Sequence, residues 1–231
     1  MTGKKERSLQ QLAEKIAVCQ KCPLFKNGRP VAGQGQPSKR LMMIGEAPGY
    51  HESVQGHPFV GRAGRLLDDL FTLINLKRDQ VFITNILKHR PPNNRDPLPQ
   101  EVKTCRPFLD QQIKIVNPRL LITLGRFAME KFIDNAKISQ IHGQARWVDW
   151  FDERLLVLPL YHPAAALRSN FIKDLLEKDF LKINNILDSL DKKGKEEGNS
   201  LNNQTKGDVD DQLKIFCQLK NNSFWRSRSG Y

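Results

Sequence analysis

The sequence predicts an α/β protein: a three-layer α/β/α sandwich around a central four-stranded, mainly parallel sheet. Three observations lead there. Four short runs are almost continuously apolar: RLMMIG at 40–45, QVFITNIL at 80–87, RLLITLG at 119–125 and RLLVLPL at 154–160. Strands read this way when both faces are covered, as they are in parallel sheets. Segments with helical spacing alternate with them. Finally, 39% of the 231 residues are hydrophobic, enough to bury a core rather than stay unfolded.

Taken in order, LQQLAEKIAVC at 9–19 spaces its Leu, Ile and Val as one face of a helix, which should end near the Cys19–Pro23 turn. The first apolar run then closes on Gly45, as a buried strand entering a loop. RAGRLLDDLFTLI at 62–74 carries Leu66, Leu67, Leu70, Leu73 and Ile74 at i, i+3, i+4 spacing, a helix. The second run ends in KHRPPNNRDP, where the prolines end pairing. Residues 99–117 read as a helix that stops before Pro118, and 119–125 as the third strand, followed by a helix over about 126–134. The fourth strand leads into a long helix over 163–190. From 191 to 231 the chain is charged, rich in Asn and Gly and poor in apolar residues, so it is expected to be a disordered tail beyond a domain of residues 1–190.

The formal net charge is +12, which favours a polyanionic partner, nucleic acid above all. No run of about 18 apolar residues exists to span a membrane, and MTGKKERSLQQLAEK lacks the apolar stretch of a signal peptide. A cytoplasmic protein is expected, where thiols stay reduced. The four cysteines then read as metal ligands or buried apolar residues. Cys19-Gln-Lys-Cys22 has the spacing with which two thiolates bind one metal or one cluster, and Cys105 lies in the next long helix. Three thiolates want a fourth donor. Cys217 lies in the expected tail; His89, at a strand end, is the other candidate. A Cys₃His set suits zinc or an iron–sulfur cluster, and the residues alone leave both open.

In a parallel sheet the working crevice lies beyond the carboxyl ends of the strands. The segments there are GEAPGYHE, ITNILKHRPP, GRFA and LYHPAAALR. GEAPGYHE at 45–52, HPFVGRAGRLLDDL at 57–70, ITNILKHRPPNNRDP at 83–97, CRPFLDQQIKIVNPRLLITLG at 105–125 and YHPAAALR at 161–168 occur in an order and spacing that resemble the family 4, iron–sulfur uracil-DNA glycosylases. The resemblance covers roughly residues 9–190. It implies a monofunctional glycosylase that flips uracil out of single- or double-stranded DNA, hydrolyses its N-glycosidic bond and so starts base excision repair, working as a monomer.

The resemblance also implies a 4Fe–4S cluster, with zinc as the alternative, on Cys19, Cys22, His89 and Cys105. The family usually has cysteine where His89 stands, in a stretch like KCRPPNNR. A branch of the superfamily that traps uracil-DNA covalently has histidine there, but it carries an inserted loop that this sequence lacks. His162 matches the histidine facing uracil O2, and Glu46 the carboxylate near the sugar and the attacking water. Asn85 matches the uracil reader, Phe59 the ring that stacks on the base, and Glu52 the residue that blocks the thymine methyl. Ser53 replaces the aspartate that usually follows that residue. Gly45 and Gly49 permit close backbone approach, Gly49 through a positive φ. Lys88, Arg90, Arg95 and Arg168 are the expected phosphate contacts. A metal-stapled protein that binds or traps uracil-DNA without turnover is the alternative. A nucleotide-binding protein lacks support, since neither G-x-G-x-x-G nor a P-loop occurs.

Overall fold

A computed structural model of the chain describes residues 2–203, with side chains described as far as Lys192. It contains five strands, β1 (Leu41–Gly45), β2 (Phe82–Asn85), β3 (Leu120–Leu124), β4 (Arg146–Trp150) and β5 (Glu153–Leu160), in the order β2-β1-β3-β5-β4. The four apolar runs form the parallel part, with Met42 opposite Phe82 and Leu121, and Leu121 opposite Val157. β4 is an addition to the four-stranded sheet expected. It pairs antiparallel with β5 across a tight turn at Phe151–Asp152. Arg146, Trp147 and Asp149 are exposed, while Trp150 is buried in the core and Val148 packs against it. A polar edge strand of this kind has no continuous apolar run to announce it.

The interior strands β1 and β3 are buried along their whole length, so helices cover both faces. On one face α1 (Thr2–Ala17) packs on α4 (Pro99–Val116), with Leu12, Ile16, Leu109, Ile113 and Val116 meeting Met42, Ile44 and Leu121. By strand alternation Leu41 and Met43 point the other way. There α3 (Arg62–Leu73) meets α8 (Asn170–Asn203), where Phe71 and Phe180 lie edge to face at 6.2 Å. Short helices α2 (Tyr50–Gln55), α5 (Arg126–Glu130), α6 (Ile138–Ile141) and α7 (Pro163–Ala166) fill the connections.

Helix ends follow local chemistry. Pro99 starts α4 at a position that needs no N–H, and Glu101 accepts a hydrogen bond from the Leu98 N–H at 2.9 Å. The single helix expected over 163–190 is instead two. The chain breaks after α7, and the Ser169 hydroxyl accepts the Ile172 N–H at 3.4 Å where α8 begins. α8 then runs on to Asn203, through residues where composition predicts disorder; the run of Lys and Glu has good helix propensity. Residues 204–231, with Cys217, lie outside the described residues. By its contacts the chain divides into two units, 1–186 with the sheet and 187–231.

The order in which strands are laid down reverses between β1 and β3: β1 connects to β2 on one side, and β2 crosses back to β3 on the other, all parallel. That switch point leaves a crevice beyond the carboxyl ends of these strands.

Candidate active site

Four strand ends deliver the site. β1 ends at Gly45 and releases Glu46; β2 ends at Asn85; β3 is followed by Gly125 and Arg126; β5 is followed by Tyr161 and His162. The loop after β2 stays tied to the one after β1, since the N–H groups of Ile86 and Leu87 donate to the carbonyls of Gly45 and Glu46 at 3.0 and 3.1 Å.

Asn85 and Phe59 both lie against Gly45: a Cβ there would strike Asn85 Oδ1 and come within 2.8 Å of Phe59 Cζ, so only glycine leaves this space open. Asn85 is 2% exposed, and its Oδ1 has no hydrogen-bond partner among the described residues. Buried acceptors are nearly always paired, and this one can accept a hydrogen bond from a ligand. Phe59 stacks against His162, with ring centroids 5.5 Å apart and planes 28° from parallel. Its backbone sits at φ +52, a strained value for an aromatic residue. A Cβ at position 64 would strike the Phe59 carbonyl, so Gly64 is what lets the loop pass.

Glu52 holds that loop. Its Oε1 accepts the N–H groups of Val60 and Gly61, both at 2.9 Å, and its Oε2 accepts the Gly49 N–H at 3.1 Å. Both carboxylate oxygens are thus engaged with backbone, which makes Glu52 the clasp of the Phe59 loop rather than simply a wall of the pocket. Gly49 itself has φ −85, not the positive value expected. Its hydrogen leaves room for the Glu52 carboxylate, which a Cβ would approach to 2.7 Å.

His162 is the N-cap of α7, and its Nδ1 accepts the Ala164 N–H at 3.0 Å. With Nδ1 an acceptor, the neutral ring carries its proton on Nε2. Burial, and to a lesser degree the Arg168 guanidinium, lower its pKa to about 4, against a raising influence from Glu52. It is a neutral donor at ordinary pH. Glu46 is shifted the other way. Burial and the nearby Asp96 carboxylate raise its pKa to about 7, opposed by Arg126, which pairs with Asp96 at 2.6 Å. A carboxylate poised near neutrality in a crevice suits proton transfer or the holding of a water.

The cationic residues divide. Arg168 is exposed at the end of α7, and Arg90 lies over the Tyr50 ring at 5.3 Å while donating to Asn94 Oδ1 at 2.7 Å. Both can still reach a phosphate. Lys88 cannot: it is 1% exposed, and its ammonium donates to Thr84 Oγ1, the Asn85 carbonyl and Gln112 Oε1, each at 2.7 Å. The sequence expectation fails there because a cation amid cations at a strand end looks solvated, whereas β2 carries Lys88 inward under α4. Arg95 forms a two-pronged pair with Glu101 at 2.9 and 2.6 Å that locks the start of α4, a structural role instead of a phosphate contact.

The sulfur donors come from two elements. Cys19 and Cys22 follow α1, half-buried against the core; Cys105, 8% exposed, lies in α4. They are near enough for charge on Cys19 to act on Cys22, and for charge on both to act on Cys105. Burial pushes the Cys22 and Cys105 thiols up, while the Leu24 and Lys88 N–H groups donate to their respective sulfurs and favour thiolate. His89 is 6% exposed, and burial lowers its pKa, which keeps the imidazole neutral. Cysteine sulfurs with backbone donors, together with a neutral imidazole, are a soft donor set of the kind that zinc and iron–sulfur clusters take. Among the described residues no three His, Cys, Asp or Glu side chains are grouped around one metal ion.

A family model described as the uracil DNA glycosylase superfamily matches residues 32–188. The type-4 uracil-DNA glycosylase of Sulfurisphaera tokodaii is 42% identical over 76% of this chain and 83% of its own. That of Saccharolobus solfataricus is 42% identical over 79% and 88%, and that of Archaeoglobus fulgidus 40% identical over 76% and 92%.

Proposed function

Because the chain belongs to the uracil DNA glycosylase superfamily and, within it, to the type-4 uracil-DNA glycosylases, we propose that it is a monofunctional glycosylase. It flips uracil from DNA, hydrolyses the N-glycosidic bond and leaves an abasic site, the opening step of base excision repair. The observation that carries this reading is the buried, unpartnered Asn85 Oδ1 facing Phe59 beside Gly45. An amide offers an acceptor for uracil N3–H and a donor for O4. Cytosine presents the reverse pattern and would leave buried groups unpaired, which costs far more than a weak contact.

The remaining roles follow from charge. As the N1–C1′ bond breaks, its electron pair goes to uracil and the sugar becomes cationic. The Nε2–H of neutral His162 donates to the uracil O2 as negative charge grows there, an interaction strongest in the transition state. Glu46, ionised, opposes the sugar's positive charge and orients the water whose oxygen bonds to C1′, and accepts a proton from it. Phe59 stacks on the base, Glu52 fixes the Phe59 loop, and Arg90 and Arg168 meet phosphates.

Cys19, Cys22, Cys105 and His89 would hold a 4Fe–4S cluster, with zinc the alternative. Its contribution when bound is to fasten the segment after α1 to α4 and the β2 loop. The substrate is uracil-containing DNA, single- or double-stranded, met by a monomer in the compartment that holds the DNA. No described helix is long and apolar enough to cross a membrane.

The test is multiple-turnover cleavage of a labelled single-stranded oligonucleotide containing one uracil, developed with hot alkali on a denaturing gel. A cleaved band exceeding the enzyme in amount is expected, with Asn85→Ala lower by about ten- to a hundredfold. A slow band that survives denaturation would instead mean covalent trapping, and neither product nor adduct would mean a binding protein.

A further inference from the structure

Lys88 is the most deeply buried lysine or arginine among the described residues, and the proposed chemistry leaves it without a task. Its ammonium donates three hydrogen bonds, its full complement, to Thr84 Oγ1, the Asn85 carbonyl and Gln112 Oε1. None of these acceptors is a carboxylate. Burying an ammonium without a carboxylate partner is costly. Burial lowers the Lys88 pKa to about 8, with charge on Cys105 acting the other way. The Lys88 main chain makes the same connection, since its N–H donates to the Cys105 sulfur. Its carbonyl accepts the Val31 N–H at 2.7 Å, and Gln112, the ammonium's partner on α4, donates onward to the Ala32 carbonyl. One residue therefore touches the base-reading strand end, the helix carrying Cys105 and the segment that follows Cys19 and Cys22.

We propose that Lys88 is a positioning residue that couples the cysteine centre to Asn85. Its ammonium is tied through Gln112 to α4, the helix that carries Cys105, and the same ammonium fixes the carbonyl of the residue whose side chain reads uracil. Loss of the centre then slackens the base pocket without any ligand of the cluster touching the base. This rests on the glycosylase reading, because it assigns Asn85 to uracil.

The experiment titrates free uracil calorimetrically into anaerobic holoprotein, wild type, Lys88→Met and Gln112→Met. In parallel it follows loss of the cluster's visible absorbance under a chelator. Lys88→Met keeps the length of the side chain and removes its charge and donors. It is expected to bind uracil at least about tenfold more weakly and to release iron faster. Gln112→Met keeps the ammonium and its bond to Asn85 but cuts the tether to α4; it should shift both readings in the same direction by less. A merely structural lysine would change iron release or melting temperature and leave uracil affinity alone. Wild-type uracil affinity in Lys88→Met with its cluster intact overturns the proposal, as does unchanged affinity in Gln112→Met. Should Lys88→Met not fold, the Gln112→Met comparison decides. If wild-type protein itself fails to bind uracil, the glycosylase reading is overturned, and the coupling with it.

Discussion

Glu46 sits where its protonated form is favoured, and the consequences for rate and for stability run in opposite directions. Its pKa is raised to about 7 by burial and Asp96, and catalysis needs the carboxylate. Activity should therefore climb with pH through about 7, while His162, lowered to about 4, stays a neutral donor throughout that range. Pre-steady-state rates between pH 5 and 9 check this. Glu46→Gln should abolish the limb and lower the single-turnover rate by about 10²–10⁴. For folding, the native carboxyl binds its proton more tightly than the unfolded one between about pH 4.5 and 7. Stability from this group is thus present below that range and lost as pH rises through it. Discounted for its partial contact with solvent, the loss is about 1–2 kcal/mol. Glu46→Gln should accordingly melt higher than wild type at pH 8 and match it at pH 5. Equal melting temperatures at pH 8 would mean that Glu46 is not desolvated in solution. At this scale the sequence shows residue types and their place at strand ends but not their surroundings. The places of Asn85 and His162 at strand ends are legible in the sequence; their roles enter only through the family resemblance. Lys88 is misread, because nothing local distinguishes an inward cation from a solvated one.

At the scale of elements, the loop between α2 and α3 is held by one carboxylate. Phe59 stays at φ +52 because Glu52 gathers the Val60 and Gly61 N–H groups and Gly64 makes room beneath it. Glu52→Ala leaves three backbone donors without their acceptor, a loss of about 1–3 kcal/mol. A fall in melting temperature is expected together with a higher KM, since the stacking ring is no longer preset. An unchanged KM would show that Phe59 does not depend on the clasp. The strands were legible because a buried parallel strand must be apolar on both faces. β4 was not, since RWVDW shows water one face and an edge. The break between α7 and α8 was equally hidden. The Ala and Leu spacing runs on through it, and only the capping by Ser169 reveals the new start.

For the whole molecule, charge and the cysteine centre act over longer distances. A formal charge of +12 should make DNA binding strongly salt-dependent. Arg90→Ala and Arg168→Ala should each reduce the slope of log K against log salt by about 1, measured by fluorescence anisotropy. Lys88→Met should not change that slope, since its ammonium never meets solvent; a fall equal to that of Arg168→Ala would refute its burial. Removal of the metal centre tests how the pieces are joined. α1 is docked independently: Leu12 and Ile16 are buried, and Lys5 donates to the Val116 carbonyl at 2.8 Å. Gln34 is pinned to the sheet by paired bonds with Ile83 at 2.9 and 2.8 Å. Between these anchors the main-chain bonds of residues 19–28 are local, and longer-range ties begin at Arg29 and Val31, so Cys19 and Cys22 are this stretch's contribution to the centre. Chelation should therefore raise amide exchange over residues 18–28 and the β2 loop 86–90, while β1 and β3 keep their protection. Uniform loss of protection would mean that the centre holds up the entire fold. No change anywhere would mean that hydrogen bonds alone secure the segment and that the thiolates are there for chemistry.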